Sequence, residues 1–169
     1  MKKVLYIFGQ LSDGDVQWLG SAGQRSVAAA GSDLIRQGQP IDQLYIVLEG
    51  KLEVLNASGQ RLATVGTGEV VGEMSFIEAR PPSATVRAMS DTVLFAVSRD
   101  VLEEQLAQDA GFAARFYKAL ATFLSDRLRA AGAGGSEDDD ELDPNILDTL
   151  SQAGARFDRL VAQLYQRGL

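Results

Sequence analysis

The sequence predicts a mainly β domain, a sandwich or barrel of short strands, with helices before and after it and one further helix at the C-terminus. Three observations carry that expectation. From Arg25 to Val97 the chain runs in short apolar or alternating stretches separated by Gly, Asp, Ser and Pro, the spacing of an all-β sandwich or barrel. After Ser98 the apolar residues recur at three- and four-residue steps, the period of a helix. After a glycine-rich and acidic break at 131–143, a second stripe of that period begins.

Residues 1–10 form an apolar lead-in. Its apolar stretch, Val4 to Phe8, stops at Gly9-Gln10, too short for a signal-peptide core. Ser12 or Asp13 caps a short helix through Val16, Trp18 and Leu19, which Gly20 to Gly23 ends. The tryptophan is expected in the core. Strands are expected near 26–30, 33–36, 43–49, 51–56, 61–65, 69–72, 83–88 and 92–97. The run Leu44 to Val54 is the strongest, and Gly50 either splits it or bends it with a bulge. Ala57-Ser58-Gly59-Gln60 reads as a hairpin turn. Ser98 or Asp100 caps the next helix, with Leu102, Leu106 and Val101 on its buried face, and Asp109 and Gly111 punctuate it. A longer helix follows over 112–131, with Phe116, Leu120, Phe123, Leu124 and Leu128 on its apolar side.

Chemistry concentrates between Gly68 and Ala88. Glycine lets a backbone approach a ligand closely. A short helical turn beginning beside Gly72 carries Glu73, Met74 and Ser75. Ser83 offers a hydroxyl donor to a phosphate, and Glu73 an acceptor for a sugar hydroxyl. Gly68-Glu69, Gly72-Glu73, Ser83-Ala84, Val86 and Ala88 together resemble the phosphate-binding cassette of the cyclic nucleotide-binding domain family, the module of catabolite-activator-type regulators and kinase regulatory subunits. Ile35-Arg36-Gln37-Gly38 and the Leu44–Val54 run are similar to a second signature of that family at the expected distance, so the resemblance covers about residues 10–130.

The resemblance implies a β-roll, a double-stranded β-helix of jelly-roll type, at 25–97 with helices at 98–131. It implies a ligand site at Gly72, Glu73, Met74, Ser75, Arg80, Ser83 and Ala84. It implies no cofactor, and a cyclic nucleotide (cyclic AMP or cyclic GMP) or another small phosphate compound as ligand. The long helix would pair two subunits into a homodimer and close over the ligand's base. Positions 113, 116, 120, 123, 127 and 130 fall at coiled-coil spacing, interrupted by Arg127; packing of this face on its own β-roll is the alternative.

One position departs from the family pattern. Where the family places its phosphate-binding arginine, directly before Ser83, this chain has Pro82. A lost guanidinium–phosphate contact costs about 1.5–3 kcal/mol, roughly 10- to 150-fold in affinity. Three outcomes follow. Arg80 folds back to supply the charge, or the pocket takes another ligand, or the site is weak and the domain serves as a non-sensing dimerisation or interaction module.

Segments 132–143 and 144–169 read as an acidic tether and an amphipathic helix. Residues 137–143 hold six acidic groups, which account for all but one unit of the net charge of −7. Asp143-Pro144 suits a helix start. Ile146, Leu150, Ala153, Phe157, Leu160 and Leu164 then form an apolar stripe that needs a partner surface: its own domain, a second subunit or another protein. The 38 residues after Ala131 hold one helix and not a three-helix DNA reader, and the composition lacks a basic footprint, so no nucleic-acid partner is expected. No stretch reaches transmembrane length, so no membrane partner is expected and a cytoplasmic protein is the expectation. Histidine and cysteine are both absent, and Lys2, Lys3, Lys51 and Lys118 lie away from the cassette. Imidazole and thiolate chemistry are therefore excluded, and an enzyme is not expected.

Overall fold

The fold is organised by one sheet whose two central strands are covered on both faces. A computed structural model describes residues 7–132 and 147–168. The first six residues, the tether after 132 and the Asp143-Pro144 helix start lie outside the described residues. So do Ile146 and the side chain of Leu150.

Helix α1 (Asp13–Ala22) leads into eight strands among the described residues: β1 (Gln24–Ala28), β2 (Asp33–Ile35), β3 (Gln43–Glu49), β4 (Leu52–Leu55), β5 (Arg61–Val65), β6 (Val70–Val71), β7 (Thr85–Ala88) and β8 (Thr92–Ser98). Helix α2 (Glu73–Glu78) separates β6 from β7, and α3 (Arg99–Gln108), α4 (Ala110–Gly132) and α5 (Leu147–Arg167) follow the roll. Two antiparallel four-stranded sheets form, in the orders β1-β8-β3-β6 and β2-β7-β4-β5. Strand ends differ from expectation by at most two residues, and β3 and β5 match it at both ends. The change that bears on function is at β7, where Ser83 and Ala84 stay outside the ladder and remain available to a pocket.

The first sheet explains the near-continuous apolar runs of β3 and β8. Leu44, Ile46 and Leu48 of β3, with Phe95 and Val97 of β8, join a core built with α1, α3, α4 and α5. Val47 and Leu94 point the other way, into a second core with Ile35, Leu52, Val65 and Val86 between the sheets. A strand with two covered faces has no position that needs to be polar. Of the two readings of the Leu44–Val54 run, the split holds at Gly50, which divides β3 from β4; the bulge lies earlier, between Val47 and Glu49. Gly50 has φ +100°, and a Cβ there would stand 2.7 Å from Thr92 Oγ1, so a side chain would block the passage between the sheets.

Ser12 caps α1 in a reciprocal box with Asp15: Ser12 Oγ accepts from Asp15 N–H at 3.1 Å, and Asp15 Oδ2 accepts from Ser12 N–H at 2.8 Å. Trp18 is half-buried, stacked at a tilt 5.3 Å from Phe112. The Asn56 side chain closes the β4–β5 hairpin by accepting from Ser58 and Gln60 N–H. On α3, Leu102 and Leu106 are buried but Val101 is 40% exposed, because it lies off the line those two share.

The terminal helix finds its partner in its own chain, where a separate protein partner for 144–167 was one expectation. Helix α5 lies on α1 and β1 and buries Ala153, Leu160 and Leu164. Phe157 meets Phe8 edge-on at 5.5 Å. Arg156 donates to Asp13 at 2.8 Å and to Phe8 O at 3.0 Å. Arg167 Nη1 donates to Gly20 O at 2.8 Å and Ser21 O at 2.7 Å, and so supplies the unpaired carbonyls at the end of α1 with a cation. No helix among the described residues is long and apolar enough to cross a membrane.

Candidate functional site

All seven residues expected at the site line one cavity of about 290 Å³: Gly72, Glu73, Met74, Ser75, Arg80, Ser83 and Ala84. It lies where β6 gives way to α2 and the chain returns into β7. Gly72 makes the turn at φ +91°, and a Cβ there would press on Ile41 Cδ1 at 3.1 Å and Gln43 O at 3.2 Å. Residue type and space both demand glycine. Ala79 then takes a left-handed conformation, φ 54°, to end α2 and start the Arg80-Pro81-Pro82 loop. That loop is tied to the β2–β3 turn, since Pro82 O accepts from Gly38 N–H at 2.9 Å. Just beyond it, Thr85 Oγ1 accepts from Gln37 N–H at 3.1 Å. The walls are apolar: Ile35, Ile41, Val54, Val71 and Val86.

Arg80 reaches the rim and stays in solvent. Its side chain is 80% exposed, 3.9 Å from Glu78. Arg87 faces away and pairs across strands with Asp33 at 2.7 Å. Ser83 is exposed at the mouth, while Ser75 is buried.

The residue that sequence reasoning missed is Arg127. It projects from α4, lines the cavity and donates from Nη1 to Glu73 Oε1 at 2.7 Å. Its Nη2 donates to Val70 O at 3.1 Å, and its guanidinium sits 4.4 Å over the Phe123 ring. Glu69 comes within 3.9 Å of it while also accepting from Gly66 N–H at 2.6 Å. Burial pushes the Glu73 carboxyl above its ordinary value, and nearby Glu69 adds to the rise. Arg127 and the residue's own N–H pull the other way without overcoming burial. A signal was present in the sequence: one arginine interrupts an otherwise apolar helical stripe.

That stripe is also turned differently from the dimer seam expected at 113, 116, 120, 123, 127 and 130. Phe116, Leu120 and Phe123 are buried in this domain's own core, and Arg127 serves the pocket. Leu128, expected on the apolar side, is 76% exposed.

Comparison with known proteins places this architecture. The model of the cyclic nucleotide-binding domain family matches residues 25–109. The chain belongs to that family. Its fold is the β-roll of cyclic nucleotide-binding domains, with a C-terminal helix added. A cyclic nucleotide-binding domain from Methylobacillus flagellatus superposes with a TM-score of 0.68 at 30% identity, over 76% of this chain and 78% of that one. The N-terminal domain of a transcriptional regulator from Streptomyces coelicolor A3(2) gives 0.60 at 30% identity, over 82% of this chain and 99% of that one. Among curated relatives, the voltage-gated inwardly rectifying potassium channel KCNH3 of Rattus norvegicus is 32% identical over 152 residues, which is 88% of this chain. The chain spans 14% of that channel's length. In cyclic nucleotide-binding domain terms, the cavity coincides with the cassette the sequence marks, and its lining includes Pro82 and a helix-borne arginine.

Proposed function

We propose that this domain is a regulatory module that seats a small phosphate-bearing ligand of the cyclic nucleotide class and passes its occupancy to α4. The observation that carries the reading is the Glu73–Arg127 contact. It joins the cavity's buried acceptor to the long helix with a 2.7 Å charge-assisted bond. A ligand hydroxyl that donates to Glu73 alters the surroundings of Arg127, which projects from α4 and is held there by Val70 O and the Phe123 ring. Binding free energy is thereby linked to the position of that helix. Membership of the family supports the ligand class. The test is a calorimetric titration with cyclic AMP and with cyclic GMP. Saturable binding in the range of about 10–150 µM by either is expected, because an intact cassette's roughly micromolar affinity is weakened about 10- to 150-fold without its arginine. No saturable heat from either compound would end the sensing account.

A second reading, assembly through α4, has its own observation. Ala114, Tyr117, Ala121, Leu124, Leu128 and Ala131 recur at alternating three- and four-residue steps; Leu124 packs partly on the domain's own core, and the others are exposed. Tyr117 is 47% and Leu128 76% exposed. A repeat of 3.5 residues held over the length of a helix is what a second copy of the same helix requires. Light scattering at rising concentration tests it: a dimer in the wild type and a monomer in Leu128→Glu are expected.

A further inference from the structure

We infer that Arg127 is the residue that holds the ligand's anionic group, and that the phosphate is therefore gripped from the helix α4 rather than from the loop before β7. This rests on the sensing function proposed above. The cavity has two cations, and they differ in every respect that matters for holding an anion. Arg80 is 80% exposed and its nearest carboxylate is 3.9 Å away. It would lose its hydration and most of its rotamer freedom on binding. The residue two places on, Pro82, has no N–H to offer and its carbonyl is already committed to Gly38.

Arg127 is fixed beforehand. Its side chain is two-thirds buried, and the guanidinium is held by Glu73, by Val70 O and by the Phe123 ring. A guanidinium carries five N–H donors, and these two hydrogen bonds use two of them. The group can therefore bridge: one edge remains on Glu73 while other donors meet a phosphate. Immobilised by packing, it loses little entropy when it does so. The arrangement also sets a specificity. Arg127 faces two carboxylates, Glu73 at 2.7 Å and Glu69 at 3.9 Å, so part of its charge is already answered. A singly charged phosphodiester that also gives Glu73 a hydroxyl fits this balance. A more highly charged phosphate monoester competes with Glu73 outright and fits poorly.

The test is a titration with two probes that share their rings: cyclic AMP, and its phosphate methyl triester, which carries no charge. Four proteins are compared: wild type, Arg127→Gln, Pro82→Arg and the double variant. In the wild type, cyclic AMP is expected to bind roughly 10- to 150-fold more tightly than the triester. Arg127→Gln should bring that ratio close to one. Pro82→Arg should restore it in the double variant by supplying a cation from the loop side. If Arg127→Gln does not fold, Arg127→Lys keeps a charge on a shorter donor set, and its ratio should fall severalfold below the wild type. An unchanged ratio in Arg127→Gln, or in Arg127→Lys, overturns the assignment to Arg127 while leaving the sensing function standing. Failure of the wild type to bind either probe overturns the sensing function itself, and this assignment with it.

Discussion

Two arginines leave α4 twelve residues apart, about 18 Å along the helix, and each meets a buried carboxylate. They make opposite use of the same pairing. Arg115 grips Asp15 with two bonds, Nε at 2.6 Å and Nη2 at 2.9 Å. Ser12 adds a backbone N–H to the same carboxyl. Burial would raise the Asp15 carboxyl, yet the Arg115 and Ser12 hydrogen bonds overcome it and hold the group below its ordinary value. Glu73 receives one side-chain bond from Arg127, has a second carboxylate nearby and faces a cavity, and burial wins. A pair whose bonding capacity is filled fastens α1 to α4. A pair with capacity left over, next to open volume, is suited to a ligand.

The comparison can be broken most forcefully at Arg127. Replacing it with Met leaves Glu73 and Glu69 buried side by side, and a loss of about 3 kcal/mol in urea unfolding at neutral pH is expected. Asp15→Asn should cost less, about 1–3 kcal/mol, because Arg115 is 40% exposed and water can take over part of its solvation.

A sharper separation comes from pH. Asp15 has a lowered native value, so the stability it adds is present above 3.8 and is lost as pH falls through the native value. Glu73 has a raised native value, so the fold binds its proton more tightly than the unfolded chain. Its favourable contribution is full below 4.5 and disappears as pH rises through the native value. Chemical denaturation of wild type and Glu73→Gln from neutral pH down to 4.5 should show the wild type gaining on the variant. Asp15→Asn against wild type should show its difference shrinking below pH 4. The same slope for both variants would mean that the two pairs are alike after all. The smallest effect belongs to Arg80→Ala, expected within about 0.5 kcal/mol in stability, since the side chain lies in solvent.

The strands were legible because each is a short apolar run with a breaker at both ends. The cassette was legible because six of its seven expected residues lie in two short stretches, Gly72–Ser75 and Ser83–Ala84. Arg127 was not, since it reaches Glu73 across 54 residues and its direction depends on how α4 is rotated. Periodicity alone does not fix that rotation, because α4 carries two apolar stripes, one through Phe116, Leu120 and Phe123 and one through Tyr117, Leu124 and Leu128. The choice is made by the first sheet, whose helix-facing side contributes Phe95 and Val97 to the core that Phe116 and Phe123 join. Likewise, the stripe on α5 announced a need for cover without naming what provides it. The deciding contacts are Asp13 to Arg156 and the α1 carbonyls to Arg167, which pair residues more than 140 positions apart.

Those last contacts give α1 a role beyond its ten residues. Arg115 holds one of its ends and Arg167 the other, while Arg156 grips Asp13 between the two helices that flank it. In the proposed sensing function, a tilt of α4 would be handed to α5 through these side-chain joints, with α1 as the pivot. These joints link α4, α1 and α5 side chain to side chain, so a chain cut between α4 and α5 would leave them in place.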